Sequence, residues 1–202
     1  MIPIKLHWER RVDGFERDTG RPDQLRARSE RIDALTHEIT DLEDPVFLHL
    51  MNCRTDKDFI AFLYRFGSPM NFNDGVLHLP IIRGMADGFR TQAMSTIGKD
   101  LPPQERAYFV NEALSNVTLR PSYVYSEQTG RGRLILEADT LYGFMMMEHS
   151  VAHEAGAVAT TCEHCDRIFL TGPLTGRRSH AKFCSDRCRV AAMRARNAAK
   201  EG

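Results

Sequence analysis

Four of the five cysteines of this 202-residue chain fall within one stretch, TCEHCDRIFLTGPLTGRRSHAKFCSDRCRVAAMRARN, from Thr161 to Asn197. Cys162 and Cys165 are separated by two residues, Cys184 and Cys188 by three, and eighteen residues lie between the pairs. Each close pair can place two thiolates on one ion, and the intervening segment is long enough for a hairpin that closes a tetrahedral four-sulfur site. The chemistry predicted is one structural zinc ion held by Cys162, Cys165, Cys184 and Cys188, with no open position for catalysis. Two disulfides or four idle thiols are the competing readings. Paired spacing argues against idle thiols, and the expected compartment argues against disulfides. His164 and His180 are the substitute ligands within reach, and either would require a cysteine to be displaced.

The compartment follows from what the sequence lacks. The opening segment MIPIKLHWERR has neither the apolar core nor the small-residue cleavage site of a secretory leader. No run approaches the roughly 18 apolar residues of a membrane span. A reducing cytoplasm, where thiols stay available for metal, is therefore expected. Cys53, alone in the apolar run FLHLMNC, reads as a small buried side chain and not as a nucleophile.

The overall balance of 27 acidic and 27 basic side chains hides a division. Residues 160–202 carry nine Lys/Arg against four Asp/Glu, which leaves eighteen against twenty-three for residues 1–159. From Ser185 onward, Cys188, Ala191, Ala192, Ala195 and Ala199 share one helical face, while Arg187, Arg189, Arg194, Arg196 and Lys200 lie off it. The loop before Cys184 adds Arg177, Arg178 and Lys182. This clustering predicts a phosphate-binding surface, with DNA contacts from Arg177, Arg178, Lys182, Arg187, Arg189, Arg194 and Arg196. The competing reading is a solvated basic helix that serves only solubility.

The order of parts predicts a treble-clef-like module: a CEHC knuckle, a strand over Arg167–Leu170, a glycine-bearing loop, and FCSDRC opening a helix with Ser185 as its N-cap. Cys184 would lie just before that helix and Cys188 in its first turn, where the positive helix end faces the thiolates. The rest of the chain reads as a mixed α+β domain. Turn signals at Asp13-Gly14 and Thr19-Gly20 suggest short strands. Gln24–Leu42 places Leu25, Ile32, Leu35, Ile39 and Leu42 at loosely helical intervals. Pro45–Leu50 is a short apolar run, strand or helix. Thr55 predicts an N-cap for a helix over Asp56–Phe66 with Phe59, Phe62, Leu63 and Phe66 inward, stopped by Gly67.

Asn71–Leu79 reads as a loop with a short strand. Ile81–Ile97 is expected to be helical through Ile82, Met85, Phe89, Met94 and Ile97, and a further helix begins near Pro103 with Ala107, Val110, Leu114 and Val117 inward. Ser122–Tyr125 and Arg133–Glu137 flank Gln128-Thr129-Gly130 as a hairpin. Asp139 is expected to cap a helix to about Glu154. Met145, Met146 and Met147 read as core filling in it, and His149 and His153, four apart without an HExxH pattern, as surface or packing residues. The acidic run Asp41-Leu42-Glu43-Asp44 reads as a solvated segment.

The segment CEHCDRIFLTGPLTGRRSHAKFCSDRCRVAAMRAR resembles the C-terminal zinc fingers of the CGNR class, found in bacterial proteins with an ABATE-type N-terminal domain and described as stress-induced transcription regulators. The matching elements are the first cysteine pair followed by Ile168-Phe169-Leu170, the Gly176-Arg177-Arg178 turn, and Phe183-Cys184-Ser185 leading to Cys188. The chain departs from the eponymous motif, since Arg189-Val190-Ala191 follows Cys188 where the family has Gly-Asn-Arg. Leu48–Asn52 with Thr55 is similar to the start of ABATE-type domains. The resemblance implies an α+β regulatory domain over residues 1–159 and a DNA-binding zinc finger with a basic C-terminal helix over residues 160–202.

The function expected is that of a zinc-dependent DNA-binding protein, a bacterial transcriptional regulator. The alternative is a protein-interaction module in which the finger is a structural clasp. Partner binding or self-association through residues 1–159 fits either. No convergent acid, base or nucleophile marks an enzyme, and no membrane contact is expected.

Overall fold

The computed structural model describes residues 2–71, 76–127 and 130–201. The fold is α+β. A four-stranded sheet is built from β1 (Ile4–Arg11), β4 (Ile32–Glu38), β6 (Leu119–Ser126) and β7 (Arg131–Ala138), in the order β4-β1-β7-β6. β1 runs antiparallel to β4 and parallel to β7, and β6 and β7 form the hairpin expected from sequence. Its turn residues Gln128 and Thr129 lie outside the described residues. A smaller sheet joins β2 (Phe15–Arg17), β3 (Gln24–Ala27) and β5 (Val76–His78). Residues 72–75 of the expected Asn71–Leu79 loop also lie outside the described residues.

The helical expectation over Gln24–Leu42 is overturned, because β3 and β4 occupy it. Leu25, Ile39 and Leu42 are buried, but in three different places: one in β3, one just after β4 and one in the following loop. Ile32 is 52 % exposed on an edge strand. The apparent spacing therefore joined residues that never share a face.

Helix α1 (Val46–Met51) is buried along almost its whole length, with Val46, Phe47, Leu48, Leu50 and Met51 in the core. Six residues cannot sustain an isolated helix, and Pro45 at its start has no side chain to cap it. Both ends are held from a distance. The Glu148 carboxylate accepts from the Val46 and Phe47 amides at 3.0 Å each, and the Arg90 guanidinium donates to the Met51 and Cys53 carbonyls at 2.8–3.1 Å. An acceptor at the N-terminus and a donor at the C-terminus thereby satisfy backbone groups that the short helix leaves unpaired.

Thr55 caps α2 (Asp56–Phe66) in a full capping box with Asp58, its inward face is Phe59, Phe62, Leu63 and Phe66, and Gly67 ends it at φ 87°. Helix α3 (Leu79–Thr96) buries Leu79, Ile82 and Phe89 together with the small Ala86 and Ala93. Helix α4 (Pro103–Leu114) starts at the expected proline, and its expected inward face is formed only in part: Val110, Leu114 and Val117 are half-buried, with Val117 packed on the core. Ala113 is its buried residue, and Ala107 is exposed. It is a peripheral helix resting on α5 (Leu141–Ala155). The cap of α5 is Thr140, not Asp139: its Oγ1 accepts from the Gly143 amide at 3.0 Å, leaving Asp139 one residue outside the helix. Leu141, Phe144, Met145 and Met146 carry α5 through the centre of the core. Among the described residues no helix is long and apolar enough to cross a membrane.

The chain then forms a two-stranded ribbon, β8 (Val158–Thr161) with β9 (Ile168–Thr171), and ends in α6 (Asp186–Glu201). The boundary expected between Ala159 and Thr160 falls inside β8. All four residues of β9 are buried, and Ile168 and Leu170 belong to the same hydrophobic cluster as α1, α3 and α5. Gly98, at φ 76°, lets the end of α3 lie against β8, since a Cβ there would meet the Val158 backbone at 2.7 Å.

Candidate metal centre

The four cysteines that the spacing singled out converge in space. Their sulfurs all lie within 4.8 Å of one another, and the Cys165–Cys184, Cys184–Cys188 and Cys188–Cys165 Sγ separations are each 3.6 Å. Bonds of about 2.3 Å to a central zinc give a tetrahedron with edges of about 3.8 Å, so the cluster matches a four-thiolate centre, and the thiols are too far apart for a disulfide. The donor set can hold a metal ion.

Local structure explains the convergence. Cys162 directly follows β8 and its amide donates to the Arg167 carbonyl at 2.9 Å, while Asp166 turns the chain at φ 57° and its amide donates back to the Cys162 carbonyl at 3.1 Å. That tight knuckle folds Cys165 back beside Cys162. The second pair comes from the start of α6. Ser185 caps the helix, its Oγ accepting from the Cys188 amide at 3.3 Å, with Cys184 just before it and Cys188 in its first turn. The Glu163 amide to Lys182 carbonyl bond, 3.0 Å, ties the two halves together.

Electrostatics distinguish the four thiols. Burial pushes the Cys162 thiol up, but the amides of Cys184, His164 and Cys165 point at its sulfur and outweigh that, holding it low, at about 6. Burial and the neighbouring thiols push Cys184 up, to about 12, and burial raises Cys165. One thiolate is thus favoured at the buried corner, and a dication is what allows the others to ionise beside it. Cys53 stays apart. Its thiol donates to the His49 carbonyl at 3.2 Å, and burial raises it to about 12.

The centre is welded to the N-terminal part of the chain. Asn52, which follows α1, donates through Nδ2 to the Ile168 carbonyl at 2.7 Å and accepts through Oδ1 from the Ile168 amide at 2.8 Å. It thereby pairs with β9 as a neighbouring strand would. The supposedly solvated acidic run is the second weld. Leu42 is fully buried and its amide donates to the Leu174 carbonyl at 2.8 Å, while the Glu43 carbonyl accepts from Arg177 at 3.1 Å. Gly176, at φ 65°, gives the Glu43 side chain its space, since a Cβ would meet it at 2.8 Å. Neither Asn52 nor this seam announced itself as a site in the sequence.

The seven basic residues expected to meet DNA divide into groups. Arg177 turns inward, bonded to the Glu43 and Thr175 carbonyls and lying 5.9 Å from the Phe169 ring centre. Lys182 pairs with Glu163 at 3.0 Å, Arg189 with Asp186 at 3.2 Å, and Arg196 reaches back to the Ala192 carbonyl at 3.4 Å. Arg178, Arg187 and Arg194 are exposed and, among the described residues, their side chains have no hydrogen-bond or ionic partner. The side chain of Lys200 is outside what is described. Of the expected alanine face, Cys188, Ala191 and Ala192 are half-buried, whereas Ala195 and Ala199 are exposed. From Met193 to Ala199 every side chain of α6 is exposed, so the second half of the helix projects from the fold.

His149 and His153 are buried with ring centres 5.0 Å apart. His153 bonds Thr96 Oγ1 at 2.9 Å, and burial lowers the pKa of both, that of His149 to about 3. They pack the core, together with Met145 and Met146. Among the described residues the four cysteines are the one group of three or more candidate ligands that converges. In comparisons with protein-family models, curated proteins and solved structures, nothing matches the chain.

Proposed function

We propose that the chain is a zinc-dependent DNA-binding protein, a bacterial transcriptional regulator of the reducing cytoplasm, in which Cys162, Cys165, Cys184 and Cys188 hold one structural Zn2+. The fit of the sulfur cluster to zinc–thiolate dimensions supports the metal. When bound, the ion would cross-link the knuckle to the start of α6 and neutralise part of the thiolate charge. The residues around it leave no place in the proposal for catalysis.

One observation carries the DNA reading: the basic, solvent-projecting half of α6. A helical segment of this length without tertiary contacts is marginal in water, so a partner that receives it has a physical role. A major groove admits an α-helix, and unpaired arginines supply its phosphate contacts. Arg187 and Arg194, seven residues apart, lie on one stripe of α6, and Arg178 adds a third free cation from the preceding loop. Lys182, Arg189 and Arg196 exchange weak surface contacts for phosphate at little cost. Arg177 serves the seam to Glu43 instead. The resemblance of the cysteine segment to CGNR-type fingers points the same way.

A second reading has its own observation. Met193 is 48 % exposed beside Ala195, Ala198 and Ala199 on the same projecting half-helix, a surface that also suits a partner helix. Genome-fragment enrichment by the zinc-loaded chain in competitor DNA separates the two. Recovery of a sequence motif supports the regulator, and recovery of fragments at random, unaffected by neutralising α6, leaves the protein-partner reading.

A further inference from the structure

A groove of about 410 Å3 opens between α1, α2 and the cysteine module. This is within the usual range for small-molecule sites. Leu48, Phe62, Phe66 and Phe169 give it an apolar floor, and His49, Arg65 and Arg167 stand among its polar walls. The acids in it are largely committed. Asp44 is held by His49 at 2.7 Å and by Arg65 at 3.2 Å, and Asp58 is consumed by the capping box of α2. The Glu43 carboxylate lies at the far wall against Gly176.

Arg167 is different. Among the described residues its guanidinium makes no hydrogen bond and no ion pair, although its charge is felt at His49, Cys53 and Asp58. Arg167 is exposed and lines the same groove as Leu48, Phe62, Phe66 and Phe169, and a planar five-donor fork without an acceptor beside an apolar floor matches an oxyanion attached to an apolar body.

We infer that this groove is a binding site for a small organic anion, a carboxylate, sulfonate or phosphate ester on an aromatic or aliphatic body, with Arg167 gripping the anionic group. Its occupant would touch α1 and α2 on one side and β9 on the other, so it would fasten the cysteine module to the rest of the chain. The inference does not depend on DNA binding.

The test is a fluorescence titration of the whole 202-residue, zinc-loaded chain with 8-anilinonaphthalene-1-sulfonate, which carries an oxyanion on an apolar aromatic body. Saturable one-site binding is expected, weakened about tenfold by Arg167→Ala, partly restored by Arg167→Lys, and unchanged by Arg120→Ala on β6. The uncharged analogue N-phenyl-1-naphthylamine should bind equally weakly to all four proteins. The Arg167 backbone, not its side chain, supports the knuckle, so zinc content and thermal transition should survive truncation. If they do not, Arg65→Ala is read instead, and it too should weaken binding, because it leaves the Asp44 carboxylate without its arginine. No saturable binding, equal dye affinity in wild type and the arginine variant, or equal affinity for the neutral analogue would overturn the site. Displacement of the dye by a short DNA duplex from the wild type alone would assign Arg167 to nucleic-acid phosphate, and would overturn it as well.

Discussion

Replacing Asn52 with alanine removes three hydrogen bonds at once: two to the Ile168 backbone, at 2.7 and 2.8 Å, and one to the Leu48 carbonyl at 2.8 Å. Ile168 is buried, and β8 already occupies the other edge of β9, so among the described residues no other strand is placed to take over. An unsatisfied buried backbone group costs about 1–3 kcal/mol. Asn52 is only half-buried, so water reaches part of the gap, and a loss of about 2–3 kcal/mol is expected for the alanine variant. For a chain of this size that lowers the midpoint by roughly 5–10 °C. Asn52→Asp should be at least as damaging, because it places a carboxylate against two carbonyl oxygens. The assay is denaturant unfolding of the metal-loaded protein, with metal content measured alongside, since no ligand has been touched. A loss below about 0.5 kcal/mol, the scale of an ordinary surface substitution, would refute the reasoning that Asn52 acts as the missing strand of β9.

Chelation should lower the thermal transition of the whole chain and not of a separate C-terminal unit, because Ile168 and Leu170 lie in the shared core; calorimetry showing an unshifted main transition would contradict this. Burial pushes Glu148 from its ordinary 4.5 up to about 8, against the pull of the Val46 and Phe47 amides, so the folded state holds this proton more tightly than the unfolded one. Its contribution to stability is therefore full below about 4.5 and is lost as pH rises towards about 8, on the order of 1 kcal/mol per unit. The stability difference between wild type and Glu148→Gln should change with that sign across pH 4.5–8, and a pH-independent difference would sink the assignment. With metal bound, Cys53 should resist a thiol reagent, and added chelator should release the four cluster thiols, Cys162 reacting first, while buried Cys53 reacts last; early reaction of Cys53 would show that α1 opens more readily than its two distant caps allow.

The parts of the fold that sequence reasoning reached are those specified locally. Thr55, Asp58 and Gly67 write the limits of α2 in a few residues, and the cysteine spacing carries its own geometry because a knuckle and a helix start can close a site whatever surrounds them. The strands β3 and β4 were hidden because β3 is only four residues long, β4 is an edge strand that need not alternate, and Leu25, Ile39 and Leu42 mimicked a helical stripe. The inward face assigned to α4 is only half-buried, and Ala107 is exposed, because apolar residues at helical spacing do not say how deep a partner surface lies. The capping of α1 by Glu148 and Arg90 joins residues some forty to a hundred positions apart, and the bond from Leu42 to Leu174 is between backbones, which leaves no mark in side-chain pattern. Charge counting could not tell inward-turned Arg177 from exposed Arg178 beside it.

The central claim is that the metal-supported, projecting helix binds DNA through unpaired arginines, and the most direct measurement is duplex affinity against salt for the zinc-loaded chain. With Arg178, Arg187, Arg194 and the three cations that leave their surface partners, Lys182, Arg189 and Arg196, each meeting one phosphate, the slope of log affinity against log salt should be about −5.4, falling to about −3.6 in Arg187→Ala with Arg194→Ala at unchanged metal content. Chelated protein should lose the salt-dependent binding altogether. A flat salt response, or the same slope in wild type and double variant, would contradict the account.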